Sequence, residues 1–96
     1  MAERYRVTVS CQGISSHEAS GGVSAVLEEF YERPWHTEVT CRWDGEKILL
    51  TAENDYDSNG SAVLDEFCDA VHACISWSAE EIAFAVESVI EVKPGQ

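Results

Sequence analysis

Hydrophobic and polar residues alternate from Arg4 to Cys11, with Tyr5, Val7, Val9 and Cys11 on one side and Arg4, Arg6, Thr8 and Ser10 on the other. Period two with β-branched residues predicts a strand with one buried face. Gln12-Gly13 ends it. The period then lengthens, because Ala19, Val23, Val26, Leu27 and Phe30 recur at helical spacing. Ser15 followed three residues later by Glu18 is a capping-box pattern, which places the start of that helix. Each glycine of Gly21-Gly22 costs about 1 kcal/mol against alanine, so the firm helix is expected to begin near Ser20. Pro34 disfavours the helical conformation at the residue before it and closes the helix by Arg33.

Alternation returns from Glu38 to Trp43, with Val39, Cys41 and Trp43 facing in. Asp44-Gly45 follows, and Asp-Gly between two alternating runs predicts a hairpin into a partner strand from Lys47 to Glu53, with Ile48, Leu50 and Ala52 facing in. A second helix is expected from about Asn59 to Trp77 on the stripe Leu64, Phe67, Val71, Cys74 and Ile75, capped by Asp57 or Ser58. The last run, Ile82 to Val92, places Ile82, Phe84, Val86, Ile90 and Val92 at even spacing and predicts one long strand. Residues 93–96 form a polar tail.

The order strand, helix, strand, strand, helix, strand packs most economically as a four-stranded antiparallel sheet with two helices on one face. This α+β arrangement resembles the ferredoxin-like fold over nearly the whole chain, as a single domain spanning 1–96. Many unrelated functions use that scaffold, among them ligand-sensing regulatory modules, dimeric barrel oxygenases and interaction domains. The other face of the sheet is left uncovered, with Arg4, Arg6, Thr8 and Ser10, then Thr40 and Arg42, then Lys47, Leu49, Thr51 and Glu53, then Ala83, Ala85, Glu87, Val89 and Glu91. Sheet-on-sheet pairing of two copies through this face, giving a homodimer, is one expectation; a solvated face is the other.

Charge narrows the function. Eighteen acidic against six basic residues in 96 give a formal charge of −12, which repels nucleic-acid phosphates and anionic membranes and favours cations or basic partners. The N-terminal residues alternate instead of leading into an apolar signal segment, and no apolar run approaches the ~20 residues needed to cross a bilayer. The chain therefore reads as cytoplasmic. Its four cysteines, Cys11, Cys41, Cys68 and Cys74, fall in line with or beside apolar stripes and read as reduced, small core residues.

The one chemical motif is the loop from Asp55 to Glu66. Asp55, Asp57, Asn59 and Ser61 alternate, Gly60 sits at the turn position, and Glu66 closes six residues later. This matches the spacing of calcium loops, in which these residues supply oxygen ligands. A strand leads into it where calcium loops have a helix, and Val63 stands where a polar residue is usual; the competing reading is a strand-to-helix connection whose polar side chains turn the chain and cap the helix. Cys68 and His72 lie one helical turn apart with Cys74 nearby, but paired zinc spacing is absent. Ser20-Gly21-Gly22 is a weak match to ligand-cradling turns. His17 and His36 lie at element ends; the Trp35-His36 pair, with Trp43, invites comparison with barrel-type oxygenases of this fold, whose pockets are lined with His, Trp and Asn.

These observations lead to an expected non-enzymatic acidic module that engages a basic protein partner, as an inhibitor, immunity-like protein or adaptor, through Asp65, Glu66 and Asp69. No cofactor is expected apart from calcium at the loop. The alternatives are a ligand- or calcium-sensing regulatory domain using the 55–66 loop, and a small dimeric α+β barrel-type enzyme.

Overall fold

The computed structural model describes residues 4–75 and 82–92. The elements run β1 (Arg4–Gln12), α1 (Ser16–Tyr31), β2 (Thr37–Trp43), β3 (Lys47–Asn54), α2 (Ser61–Cys74) and β4 (Ala83–Val92). The four strands form one antiparallel sheet in the order β2-β3-β1-β4, with both helices on one face. This is the ferredoxin-like βαββαβ fold expected from the alternation pattern.

The core lies between sheet and helices. Val7, Val9 and Cys11 of β1 and Ile48, Leu50 and Ala52 of β3 meet Ala19, Val26 and Phe30 of α1 and Val63, Phe67, Ala70 and Val71 of α2. Each large apolar side chain so buried contributes about 1.5–3 kcal/mol relative to exposure. Phe67 meets Phe84 of β4 edge to face, with ring centroids 5.9 Å apart. Trp43 packs against this core, as its phase requires.

Helix α1 starts earlier than its glycines suggest. Ser15 caps it, its hydroxyl accepting the Glu18 N–H while the Glu18 carboxylate accepts the Ser15 N–H, and the helix runs straight through Gly21 and Gly22. Gly22 is needed for packing rather than flexibility. A Cβ there would fall inside the side chain of Ile75, just beyond the end of α2. Helix α2 is shorter than its apolar stripe predicts, because Ile75 is already extended at φ −121° and ψ 125°. The expected continuation to Trp77 and the polar tail at 93–96 lie outside the described residues.

The hairpin forms at Asp44-Gly45, where the Asp44 carboxylate accepts the N–H groups of Glu46 and Lys47 at 2.9 and 2.8 Å. These backbone donors hold the Asp44 carboxyl below its usual range. Gly45 takes a φ of +98° that suits glycine.

Strand β4 departs from its predicted phase. Between the pairs Thr8↔Ser88 and Val9↔Val86 the register shifts by one residue, so β4 carries a bulge opposite β1. Phe84 and Val86 face the core as expected, but beyond the bulge Val89 packs inward and Ile90 becomes 52% exposed. A second shift lies in β2 between Thr37 and Thr40, where Glu38 adopts a φ of +52°.

On the uncovered face, Arg6 pairs with Glu53 at 3.0 Å, Lys47 with Glu87 at 3.3 Å, and the Ser10 hydroxyl donates to Glu87 at 2.6 Å. Arg4 donates to the Thr37 hydroxyl. These long side chains lie across the face, leaving Ser10, Leu49 and Glu53 buried although no helix covers them.

Candidate functional site

Three segments converge beside the first turns of α2. Helix α1 ends as Pro34 approaches, and the Arg33 guanidinium turns back to donate to the Glu29 carbonyl at 2.5 Å, a last-turn carbonyl that also accepts the Glu32 N–H at 3.3 Å. A turn closed by His36 N–H to the Arg33 carbonyl at 3.1 Å then directs His36 inward. Its side chain is wholly buried, against Phe30 at 5.5 Å, Trp35 at 5.9 Å and Tyr56 at 6.3 Å between ring centroids.

Glu66 reaches this cluster from α2. Its Oε2 lies 2.7 Å from His36 Nε2, while its Oε1 accepts from Trp35 Nε1 at 3.2 Å and forms an ion pair with the Arg33 guanidinium, whose Nε is also at 3.2 Å. The carboxylate therefore has three close partners, one of them the charged guanidinium, yet its side chain keeps 21% exposure. Beside it, Trp35 and Tyr56 are 49% and 48% exposed. Burial, with the carboxylates of Glu66 and Asp57 nearby, pushes the Tyr56 hydroxyl above its usual range, so it remains protonated and able to donate at neutral pH.

Asn54 closes the back of the site. It follows the inward positions Ile48, Leu50 and Ala52 of β3 and is fully buried. Its Oδ1 accepts the N–H groups of Tyr56 and Asp57 at 3.1 and 2.8 Å, and its Nδ2 faces His36 Nδ1 at 3.4 Å. Sequence reasoning missed both Asn54 and Arg33. An amide in phase with an apolar stripe was the available signal for Asn54, whereas Arg33 carries none beyond its place at a helix end.

The residues of the predicted calcium loop are distributed among other tasks. Asp57 is buried, and its two oxygens accept the Ala62 and Val63 N–H groups at 3.1 and 2.9 Å, capping α2 as one reading of the loop expects. Asn59 Oδ1 accepts from the Ser61 N–H and hydroxyl at 3.0 and 2.8 Å, and Asp55 is exposed. Glu66 turns away toward His36 and Arg33. No group of three or more His, Cys, Asp or Glu side chains among the described residues is arranged to hold a metal ion.

The reading of the chain as an acidic module for a basic partner needs correcting. Glu66, its central residue, is already matched by the chain's own Arg33 and His36, and only Asp65 and Asp69 of the expected trio are exposed. The Arg33 charge inside the molecule already offsets the Glu66 carboxylate.

The remaining candidates do not assemble into a site. His72 Nδ1 lies 2.7 Å from the Cys68 carbonyl rather than the thiol, and its ring stacks on Phe84 at 6.0 Å. Burial, then Asp65 and Asp69, push the Cys68 thiol up, which weakens it as a nucleophile. Burial raises Cys11 to about 11 and Cys41 to about 12. All four cysteines are unbridged. His17 is exposed at the start of α1, and Ser20 donates to the His17 carbonyl at 3.0 Å.

No known family profile matches the chain, and no curated protein resembles it at a significant level. Among solved structures it is similar to a chain from Chloroflexus aurantiacus J-10-fl named for antibiotic biosynthesis monooxygenase, at 15% identity and a TM-score of 0.48, covering 88% of this chain and 93% of that one. No helix among the described residues is long and apolar enough to cross a membrane.

Proposed function

We propose that the protein is a small enzyme of the dimeric α+β barrel kind, which transfers a proton to or from a planar small molecule at Glu66. The supporting observation is the buried His36 imidazole, 2.7 Å from a carboxylate that keeps some exposure and has two half-exposed aromatic residues, Trp35 and Tyr56, beside it. The faces of Trp35 and Tyr56 suit a flat ligand. Glu66 takes the proton, His36 and Arg33 hold the carboxylate in place, and the protonated Tyr56 hydroxyl donates to the ligand's developing negative charge.

The test is a panel of planar hydroxy- and carbonyl compounds, followed through tryptophan fluorescence and the NMR signals of Trp35 and His36. Proton transfer is read as solvent deuterium entering the bound compound. Exchange that falls by roughly 10²-fold or more in Glu66→Gln supports the reading. Absence of any compound that perturbs Trp35 and His36, or exchange that is unchanged in Glu66→Gln, overturns it.

The same reading has two copies meeting through their uncovered sheet faces. Arg4, Arg6, Arg42 and Lys47, four of the chain's six basic residues, lie there, Arg6 paired with Glu53 and Lys47 with Glu87, along with exposed Ile90. In a chain of charge −12 this is the surface on which a second copy meets least repulsion. Light scattering after size exclusion should give twice the chain mass, and Ile90→Glu should return it to the single-chain value. A single-chain mass for the unaltered protein at tens of micromolar removes the pairing.

A further inference from the structure

Asn54 presents two different chemistries to its neighbours, and their arrangement has a consequence for His36. The Oδ1 accepts two backbone N–H groups, from Tyr56 and Asp57, and only an oxygen can do so. This fixes the orientation of the amide, so the group turned toward His36 Nδ1 at 3.4 Å is the NH2 donor. A ring nitrogen facing a donor has to offer its lone pair. Across the ring, Nε2 faces Glu66 Oε2 at 2.7 Å and carries the proton given to that carboxylate.

We infer that Asn54 is a positioning residue that locks His36 in the Nε2–H tautomer, as a fixed hydrogen-bond donor to Glu66. A second proton at Nδ1 would set two N–H donors face to face in a place without solvent, where an unmet donor costs most. The surrounding charges divide in the same sense. Glu66 of α2 faces Nε2, Arg33 from the α1–β2 connection is bound to Glu66, and the Asp57 carboxylate of the β3–α2 loop is spent on the Ala62 and Val63 N–H groups. Tyr56 stacks on the ring and keeps its hydroxyl proton. His36 therefore holds Glu66 through a donor of fixed position.

The lock also joins two parts of the fold. Asn54 holds the Asp57 backbone, Asp57 caps α2, and α2 carries Glu66 back to His36. The tautomer of His36 and the start of α2 are thus set by one closed chain of hydrogen bonds. The inference concerns the same cluster as the proposed function but stands whether or not a ligand binds there, since its readout is the free protein.

The test is nitrogen-15 NMR of the His36 ring at neutral pH. The unaltered protein should show a protonated Nε2 and an unprotonated Nδ1. Glu66→Gln should keep that pattern, because its amide carbonyl can still accept from Nε2. Asn54→Asp keeps the shape and both backbone bonds but turns an acceptor toward the ring, so Nδ1 should gain a proton. A proton on Nδ1 in the unaltered protein overturns the inference, as does a tautomer that reverses in Glu66→Gln or stays unchanged in folded Asn54→Asp. The first two measurements decide it even where Asn54→Asp does not fold.

Discussion

His36 and Glu66, thirty residues apart in sequence, meet at 2.7 Å and join the connection leaving α1 to the body of α2. The bond adds to the packing that the two helices already share through Gly22 and Ile75, and it fixes where the end of α1 lies against the start of α2. Glu66→Ala should lower unfolding stability by about 1–3 kcal/mol, the range for leaving a buried donor such as His36 Nε2–H without its acceptor. Urea unfolding measures it, and a midpoint within error of the unaltered protein would show that the carboxylate is dispensable to the fold.

Asp57 serves α2 more directly than any residue of the helix itself. Gly60, at the N-cap position, has no side chain to offer, and the two Asp57 oxygens supply what it lacks. Asp57→Ala should cost about 2 kcal/mol, the upper end of the capping range, because Val63 N–H is left buried without an acceptor. Asp57→Asn should recover part of that loss, since its single oxygen can still accept.

The two adjacent glycines of α1 should behave oppositely. Gly21 faces open space, so Gly21→Ala should stabilise by about 0.5–1 kcal/mol through helix propensity. Gly22→Ala drives a methyl group into Ile75 and should destabilise, by about 1–3 kcal/mol where the core cannot shift. In an Ile75→Ala background the penalty should disappear. Thermal melts of the four variants settle the contrast.

Stability should fall on the alkaline side. Cys11 and Cys41 are raised by burial from 9.0 to about 11 and about 12, so the unfolded chain loses their protons first. Their contribution is complete below pH 9 and is lost as pH rises toward 11 and 12. The urea midpoint should decline over that window, and Cys41→Val should make the decline shallower. A midpoint that is flat up to pH 11 would show that these thiols ionise as readily folded as unfolded.

Most of the fold was legible because period two and period 3.6 each name a buried face. Tyr5 to Cys11, Ile48 to Ala52 and the stripe from Phe67 to Ile75 all took the side their spacing assigned. What periodicity could not show was an inserted residue. Ile90 and Val92 continued an even count from Phe84, and only the pairing with β1 reveals that the bulge shifts the phase and turns Ile90 outward. The site was less legible for a related reason. Trp35 and His36 stood out as residue types, but Glu66 was read within its own loop, as a cation ligand or part of an acidic face. Its partners, Arg33 and His36, come from a segment whose approach is decided by the fold and not by local spacing.

The bulges have a consequence for how the sheet can meet anything else. Both outer strands carry one: β2 between Thr37 and Thr40, with Glu38 at positive φ, and β4 opposite Thr8 and Val9. A bent, irregular rim is a poor template for a fifth strand, and such irregularity is one way proteins avoid growing into fibres edge by edge. A ribbon of this chain, strand added to strand, is disfavoured at both ends of the sheet. In the proposed pair, contact falls instead on the broad surface between the two rims, where side chains rather than backbone amides choose the neighbour.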